Sequence, residues 1–256
     1  MNSGKARAAG FQSAAEPIYV FGSCLSGVHH GDSAAIALEF HGAETGKASG
    51  PAGHSYAIPV TDSGDHPLSP SVISSYVESF LSYAERHPAE RFFINHMGRG
   101  TEIASLFSDA PENCMLPGTW LRQQRPDMPA RMIILDAGVL MKKPPVQKLV
   151  DQYLSLNLPL WDAPSVEIVS AGLPQSVIAN DAYARGHGHI HRIIGENRGL
   201  YGTRAGAVRD AKAIWYATHL LSLTDPLISS RGDQIHLATQ ASLHGLMVDD
   251  LQVTDS

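Results

Sequence analysis

Val20–Leu38 reads VFGSCLSGVHHGDSAAIAL, and the fold of the first half turns on this stretch. An apolar run gives way to a loop of small residues, and an alanine-rich amphipathic segment follows. That is the outline of a strand, a phosphate-binding turn and a helix, since backbone N–H groups at a helix start attract anions. Asp32, however, stands where the helix should begin. A carboxylate there opposes an incoming phosphate, so the stretch predicts a retained turn whose ligand has been lost.

Outward from this stretch, β-α alternation continues. Ile18–Ser23 is a buried-type strand and Ser33–Phe40 a short helix. A Gly-rich loop runs into a second strand, SYAIPV. In the next helix Ile73, Tyr76, Val77, Phe80, Leu81 and Ala84 share one face; Ser69 or Ser71 can cap it and Pro88 lies past its end. RFFINHMG is a strand, and TEIASLFSDA a helix capped by Thr101. Residues 121–130, LRQQRPDMPA, are polar with two prolines and read as a linker. Alternation then restarts: RMIIL, VEIVS, HIHRII, LLSL and LMV as strands, with helices from PPVQKLVDQYLSL, SVIANDAYAR, AGAVRDAKAIWYATH and DQIHLATQASLHG. Strands alternating with helices imply parallel sheets covered on both faces. The prediction is an α/β chain of two three-layer α/β/α domains: an arm at 1–16, a domain at 17–120, a linker at 121–130, a domain at 131–250 and a tail at 251–256. Ligands in such folds bind at the carboxyl ends of strands, which singles out residues 22–32, 46–53, 98–101 and 170–176.

Composition narrows the classes. The 256 residues are 43% apolar with net charge −6, which gives no general attraction to nucleic acid or anionic membranes. No apolar run is long enough to span a bilayer, and the N-terminus lacks the apolar core of a secretory signal. Two cysteines, Cys24 and Cys114, suit a reducing, cytoplasmic setting better than a disulfide scaffold.

From Ile18 to about Pro117 the chain resembles a phage-encoded family with a macrodomain-like fold. The family pattern runs V-F-G-S-N-L-x-G-x-H-G-x-G-A-A, then G-x-G-x-G-x-x-G-x-S-Y-A-I-P-T-K-D. Gly22, Ser23, Leu25, Gly27, His29, Gly46, Gly50, Gly53, Asp62 and the SYAIP run at 55–59 match it. The resemblance implies an ADP-ribose-binding fold, with phosphates on the backbone of two Gly-rich loops. Departures fall in those loops: Cys24 replaces Asn, Asp32 replaces Gly, and the later I-G-C-G-L-A-G is reduced to the start of MGRGTEIASLF.

The second half, Arg131 to Val248, resembles a YspA-like SLOG domain, a Rossmannoid nucleotide-binding fold. Ser170, Gly172, Tyr201, Gly202, Ala205, Gly206, Arg209, Asp225, Ser230, Arg231 and Gly232 match its pattern. Its ligand points are altered too. G-S-R becomes LDAG with Asp136, A-x-G-A-D becomes LPQSV with Pro174, and Asp210 and Asp233 replace Asn and Thr.

Two adjacent halves with altered phosphate loops and intact core patterning point to a non-catalytic phage or prophage protein, a pseudoenzyme serving binding or assembly, with a virion role within that reading. It needs no cofactor, and its partners would be proteins or copies of itself, met through the arm and the tail. The alternative is a protein that binds or hydrolyses ADP-ribose or another NAD-derived nucleotide. Its ligand residues would be Gly22, Ser23, Gly27, Lys47, Gly50, Gly53, Gly98 and Gly100; a third reading has only the SLOG-like half bind a nucleotide, through Arg209, Ser230 and Gly232. Ser23 and Lys47 would donate to phosphate, and Arg99, Arg204 or Arg209 would clamp it. Three smaller features each have two readings. Cys24 is a nucleophile or a small buried hydrophobe. His29 and His30 are acid/base groups or loop packing. His187, His189 and His191 are a zinc set on one strand face or a sheet edge.

Overall fold

The computed structural model describes residues 16–97, 101–136, 140–171, 174–225 and 232–253. Two five-stranded sheets flanked by helices make a mixed α/β molecule, as the alternation predicts. In the first half, β1 (Ile18–Cys24) is central. Then come α1 (Asp32–Phe40), β2 (Gly50–Ala52), β3 (Ser55–Thr61), α2 (Pro70–Arg86), β4 (Phe92–Ile94), α3 (Thr101–Ser105), β5 (Cys114–Met115) and α4 (Gly118–Gln124). The sheet order is β2-β3-β1-β4-β5. All neighbours are parallel except β2, which turns back on β3 as a short antiparallel hairpin. That hairpin lies inside the stretch read as a Gly-rich loop.

In the second half, β6 (Ala130–Asp136) leads through α5 (Pro144–Leu160) to β7 (Val166–Ser170), α6 (Pro174–His187), β8 (Ile190–Ile193), α7 (Arg198–Tyr201) and α8 (Ala205–Tyr216). β9 (His219–Thr224), α9 (Gly232–Leu243) and β10 (Met247–Gln252) complete it. The order β10-β9-β6-β7-β8, all parallel, is that of a doubly wound α/β sheet. Its strand order reverses between β6 and β9.

Side-chain periodicity explains the layers. On α2, Ile73, Val77, Phe80 and Ala84 are buried, and they cover Val20, Ile58 and Ile94 of the first sheet. Pro70 opens this helix, where a missing N–H costs nothing. Ser69 occupies the cap position but spends its hydroxyl on Ser71 instead of on the helix. In α5, Val146, Val150 and Leu154 pack with Tyr183 of α6 on Met132 and Ile168. On the opposite face of this sheet, Ala213 and Ile214 of α8 join Leu237 and Ala241 of α9 against Ile133, Val169 and Leu220.

The next residue of α8, Trp215, points the other way. Together with Ala34 and Ala37 of α1 it covers Tyr19, Phe21 and Phe93 of the first sheet. Its ring stacks on Phe93 at 4.1 Å and its Nε1–H donates to the Ile94 carbonyl at 2.6 Å. One helix is therefore shared by two sheets, so the halves are not separately layered.

The segment read as a linker is structured at both ends. Leu121–Gln124 belong to α4, Ala130 opens β6, and Arg122 donates to the carbonyls of Pro126, Met128, Trp161 and Asp162. The expected ten-residue helix at 101–110 closes at Ser105. The segment read as a tail, 251–256, begins inside β10, and Val253 just beyond that strand is buried. Of the arm only Glu16 is described; it meets Tyr201 and Lys212 of the second half. No described helix is long and apolar enough to cross a membrane.

Candidate functional site

The carboxyl end of β1 brings Gly22, Ser23 and Gly27 against the loop of Gly46 and Lys47, whereas Gly53 lies in the β2–β3 turn at the amino end of β3, away from them. Gly27 has φ of +70°, and a Cβ on it would lie 2.5 Å from the Gly46 carbonyl carbon. The Gly27 carbonyl accepts from the Gly46 N–H at 2.9 Å. The two Gly-rich loops thus lie on each other backbone to backbone. Gly53, φ +52°, similarly meets Gly42, its Cβ position 2.6 Å from that carbonyl oxygen. Gly22 is tight against Val60 and Met97. Gly50 also has positive φ, but open space surrounds it. Close approach and turn geometry account for these glycines without a ligand.

Ser23 is buried and its hydroxyl donates to the Ala48 carbonyl, so the expected phosphate donor is spent on the neighbouring loop. Lys47 is exposed on that loop. Cys24 is buried, with Sγ donating to the Asp62 carbonyl at 2.7 Å, which agrees with the packing reading. Asp62 accepts from the N–H groups of Gly64 and His66, which hold its carboxyl below the usual range. His29 packs edge-on against Phe21, with Nε2 at 3.1 Å from the Glu44 carbonyl oxygen; His30 is exposed. At the end of β4 the His96 ring lies between Trp120 and His244, and burial pushes its pKa down to about 3. Gly98, Arg99 and Gly100 lie outside the described residues.

In the second half the turn after β6 closes on its own acid. The buried Asp136 carboxylate accepts from the N–H groups of Leu140 and Met141 at 2.7 and 2.9 Å. These are donors at the start of a helical turn, the kind that cradles an anion. Arg209 is bracketed by carboxylates: Nη1 meets Glu196 at 2.7 Å, while Nε and Nη2 meet Asp210 at 2.7 and 2.6 Å. A single carboxylate oxygen, Oδ1 of Asp210, sits in the fork a phosphate would need. Arg204 pairs with Glu39 of the first half at 2.9 Å. Gly232 is the first residue of α9, and Ser230 lies outside the described residues.

The three histidines do not form one face. His187 ends α6 and bonds the Tyr183 carbonyl, while His189 lies between α6 and β8. His191 turns inward instead. Its Nε2 is 2.9 Å from Ser170 Oγ and its Nδ1 is 3.0 Å from Asp181 Oδ1. Asn180 Nδ2 donates to the same Ser170 Oγ at 3.0 Å. No zinc set arises here, and among the described residues no group of three or more His, Cys, Asp or Glu is placed to hold a metal. Ser170 and His191 each stand out in the sequence, but their pairing does not. It follows from the parallel register, which sets His191 beside Ile168 and so on the face that Ser170 shares.

A last cluster joins the halves. Tyr201 Oη donates to Glu16 at 3.2 Å, His41 stacks on Tyr19 at 4.5 Å, and Lys212 reaches Glu16 at 3.5 Å. Burial pulls the His41 pKa down to about 4. No family model, curated protein or solved structure matches the chain.

Proposed function

We propose that this chain is a binding or assembly module, built from two nucleotide-type folds whose phosphate loops are closed by its own side chains, and that it turns over no nucleotide. The observation carrying this reading is Asp136. Its carboxylate takes the two N–H groups after the first strand of a doubly wound sheet, at 2.7 and 2.9 Å. A phosphate could displace it only by leaving a buried carboxylate without those donors, which is costly. The carboxylates on Arg209 and the spent hydroxyl of Ser23 support the same reading. A phage or prophage setting, protein partners or self-association, and a cytoplasmic location belong to the proposal; the unpaired thiols of Cys24 and Cys114 suit a reducing compartment.

Calorimetry and thermal shift with ADP-ribose, NAD, AMP and cyclic nucleotides at millimolar concentration test it. A ligand at 100 times its Kd adds about 2.7 kcal/mol to apparent stability. The expected result is no shift, with a mass by light scattering that rises with protein concentration. Specific ADP-ribose binding, lost in Gly27→Glu, would overturn the reading in favour of a nucleotide-binding protein.

A further inference from the structure

We infer that Ser170, His191 and Asp181 form a nucleophile relay able to hydrolyse a short-chain carboxylic ester. This goes beyond the reading above, which concerns the two phosphate loops alone. Three observations carry it. The atoms are the ones the chemistry requires: Ser Oγ on Nε2 at 2.9 Å, and Nδ1 on a carboxylate oxygen at 3.0 Å. That arrangement fixes the tautomer with Nδ1–H on Asp181 and leaves the Nε2 lone pair for the serine proton. The position is also right, because Ser170 is the last residue of a parallel strand that leads into a helix. Finally, Asn180 is 1% exposed, and its Oδ1 has no partner. A buried acceptor left empty is unusual in a polar cluster that is otherwise paired, and it suits a substrate that brings its own donor.

In the reaction Ser170 Oγ adds to the acyl carbon, and its proton passes to His191 Nε2. Asp181 stabilises the imidazolium through Nδ1–H, and Asn180 Nδ2 supplies a donor for the acyl oxygen. Collapse expels the alkoxide, which takes the proton from Nε2 and leaves as alcohol. Water then gives a proton to Nε2 and attacks the acyl-serine, releasing the carboxylic acid and returning the proton to Ser170. Asp181 is also held by Arg185, which lowers its carboxyl and weakens its pull on the imidazole. A weakly driven base favours an ester, with its good leaving group, over an amide. Ser170 is 2% exposed, so the acyl group must be short. Ala171, the residue after Ser170 at the carboxyl end of the strand, is only half-buried. A hydroxyl or N–H next to the ester carbonyl would meet Asn180 Oδ1.

The test incubates the full chain with a small fluorophosphonate and maps the adduct by peptide mass. One adduct on Ser170 is expected, its rate reduced on the order of 10²-fold or more in Asp181→Asn and in His191→Gln, with circular dichroism unchanged. Hydrolysis of p-nitrophenyl acetate should fall in parallel, and Ser170→Ala should remove both signals. If Ser170→Ala does not fold, the mapped adduct and the Asp181→Asn rate decide alone. No adduct on the folded chain, an adduct on another serine, or labelling indifferent to Asp181→Asn would overturn the relay and leave a polar cluster that only fastens α6 to the sheet.

Discussion

Gly27 and Gly50 share a positive φ, of +70° and +87°, but not their surroundings. A methyl group on Gly50 meets nothing within 4 Å, whereas on Gly27 it meets backbone at 2.5 Å. Gly50→Ala should therefore cost only the left-handed backbone, about 1–2 kcal/mol. Gly27→Ala adds a clash that two loops must separate to relieve, and should cost about 3 kcal/mol or more. Urea midpoints of the two variants measure the difference; equal losses would refute the loop-on-loop contact. The sequence marks both glycines alike, because only the fold brings Gly46 to Gly27. The same holds for Asp136. Its place in a phosphate-type turn is visible in LDAG, but that its carboxylate would accept the turn's own N–H groups depends on how the chain curls afterwards.

Among the elements, the long amphipathic ones are plain in the sequence and the short ones are not. The burial stripe of α2 is written in its spacing. α4 is hidden, since seven residues with Arg122 and two glutamines show no period; it packs against α8. That contact is close: a Cβ on Gly118 would lie 2.2 Å from the Tyr216 carbonyl oxygen. Gly118→Ala should destabilise the protein by about 2–4 kcal/mol in thermal melts, although Ala is the better helix former. A gain in stability would show that propensity, and not packing, governs this helix. β10 is obscured differently. Asp249 and Asp250 interrupt its apolar run, yet an edge strand accommodates acids, and they discourage pairing with other chains.

Across the halves, the sequence reading of two self-contained domains gives way to sheets that share α8. Trp215→Ala removes the stacking on Phe93 and the bond to Ile94, and should cost about 3–5 kcal/mol. Differential scanning calorimetry should then resolve two transitions where the parent shows one; a single transition in the variant would mean that other contacts suffice. Acid acts through the same buried regions. Burial holds His41 and His219 down to about 4, against about 6.5 in an unfolded chain. Between these values the unfolded chain binds more protons, so stability is complete above about pH 6.5 and is lost as pH falls toward 4, by up to about 3 kcal/mol per histidine. Urea midpoints at pH 7 and pH 5 should show the drop, and His219→Gln should shrink it; a flat profile would contradict the burial of both rings. The periodicity of neither half announces that Trp215 belongs to the opposite sheet, because a tryptophan beside Ala213 and Ile214 looks like one more residue of its own core.

The shared helix also has a consequence for synthesis. The first sheet is complete once β5 has been made, but one of its faces, with Tyr19, Phe21 and Phe93, has only α1 on it until Trp215 arrives, about 100 residues later. At about 5–20 residues per second, the nascent chain carries that aromatic face covered only by α1 for roughly 5–20 s. During that interval the first half is a client for chaperones that bind apolar surface, and slow translation between β5 and α8 would lengthen its exposure to aggregation.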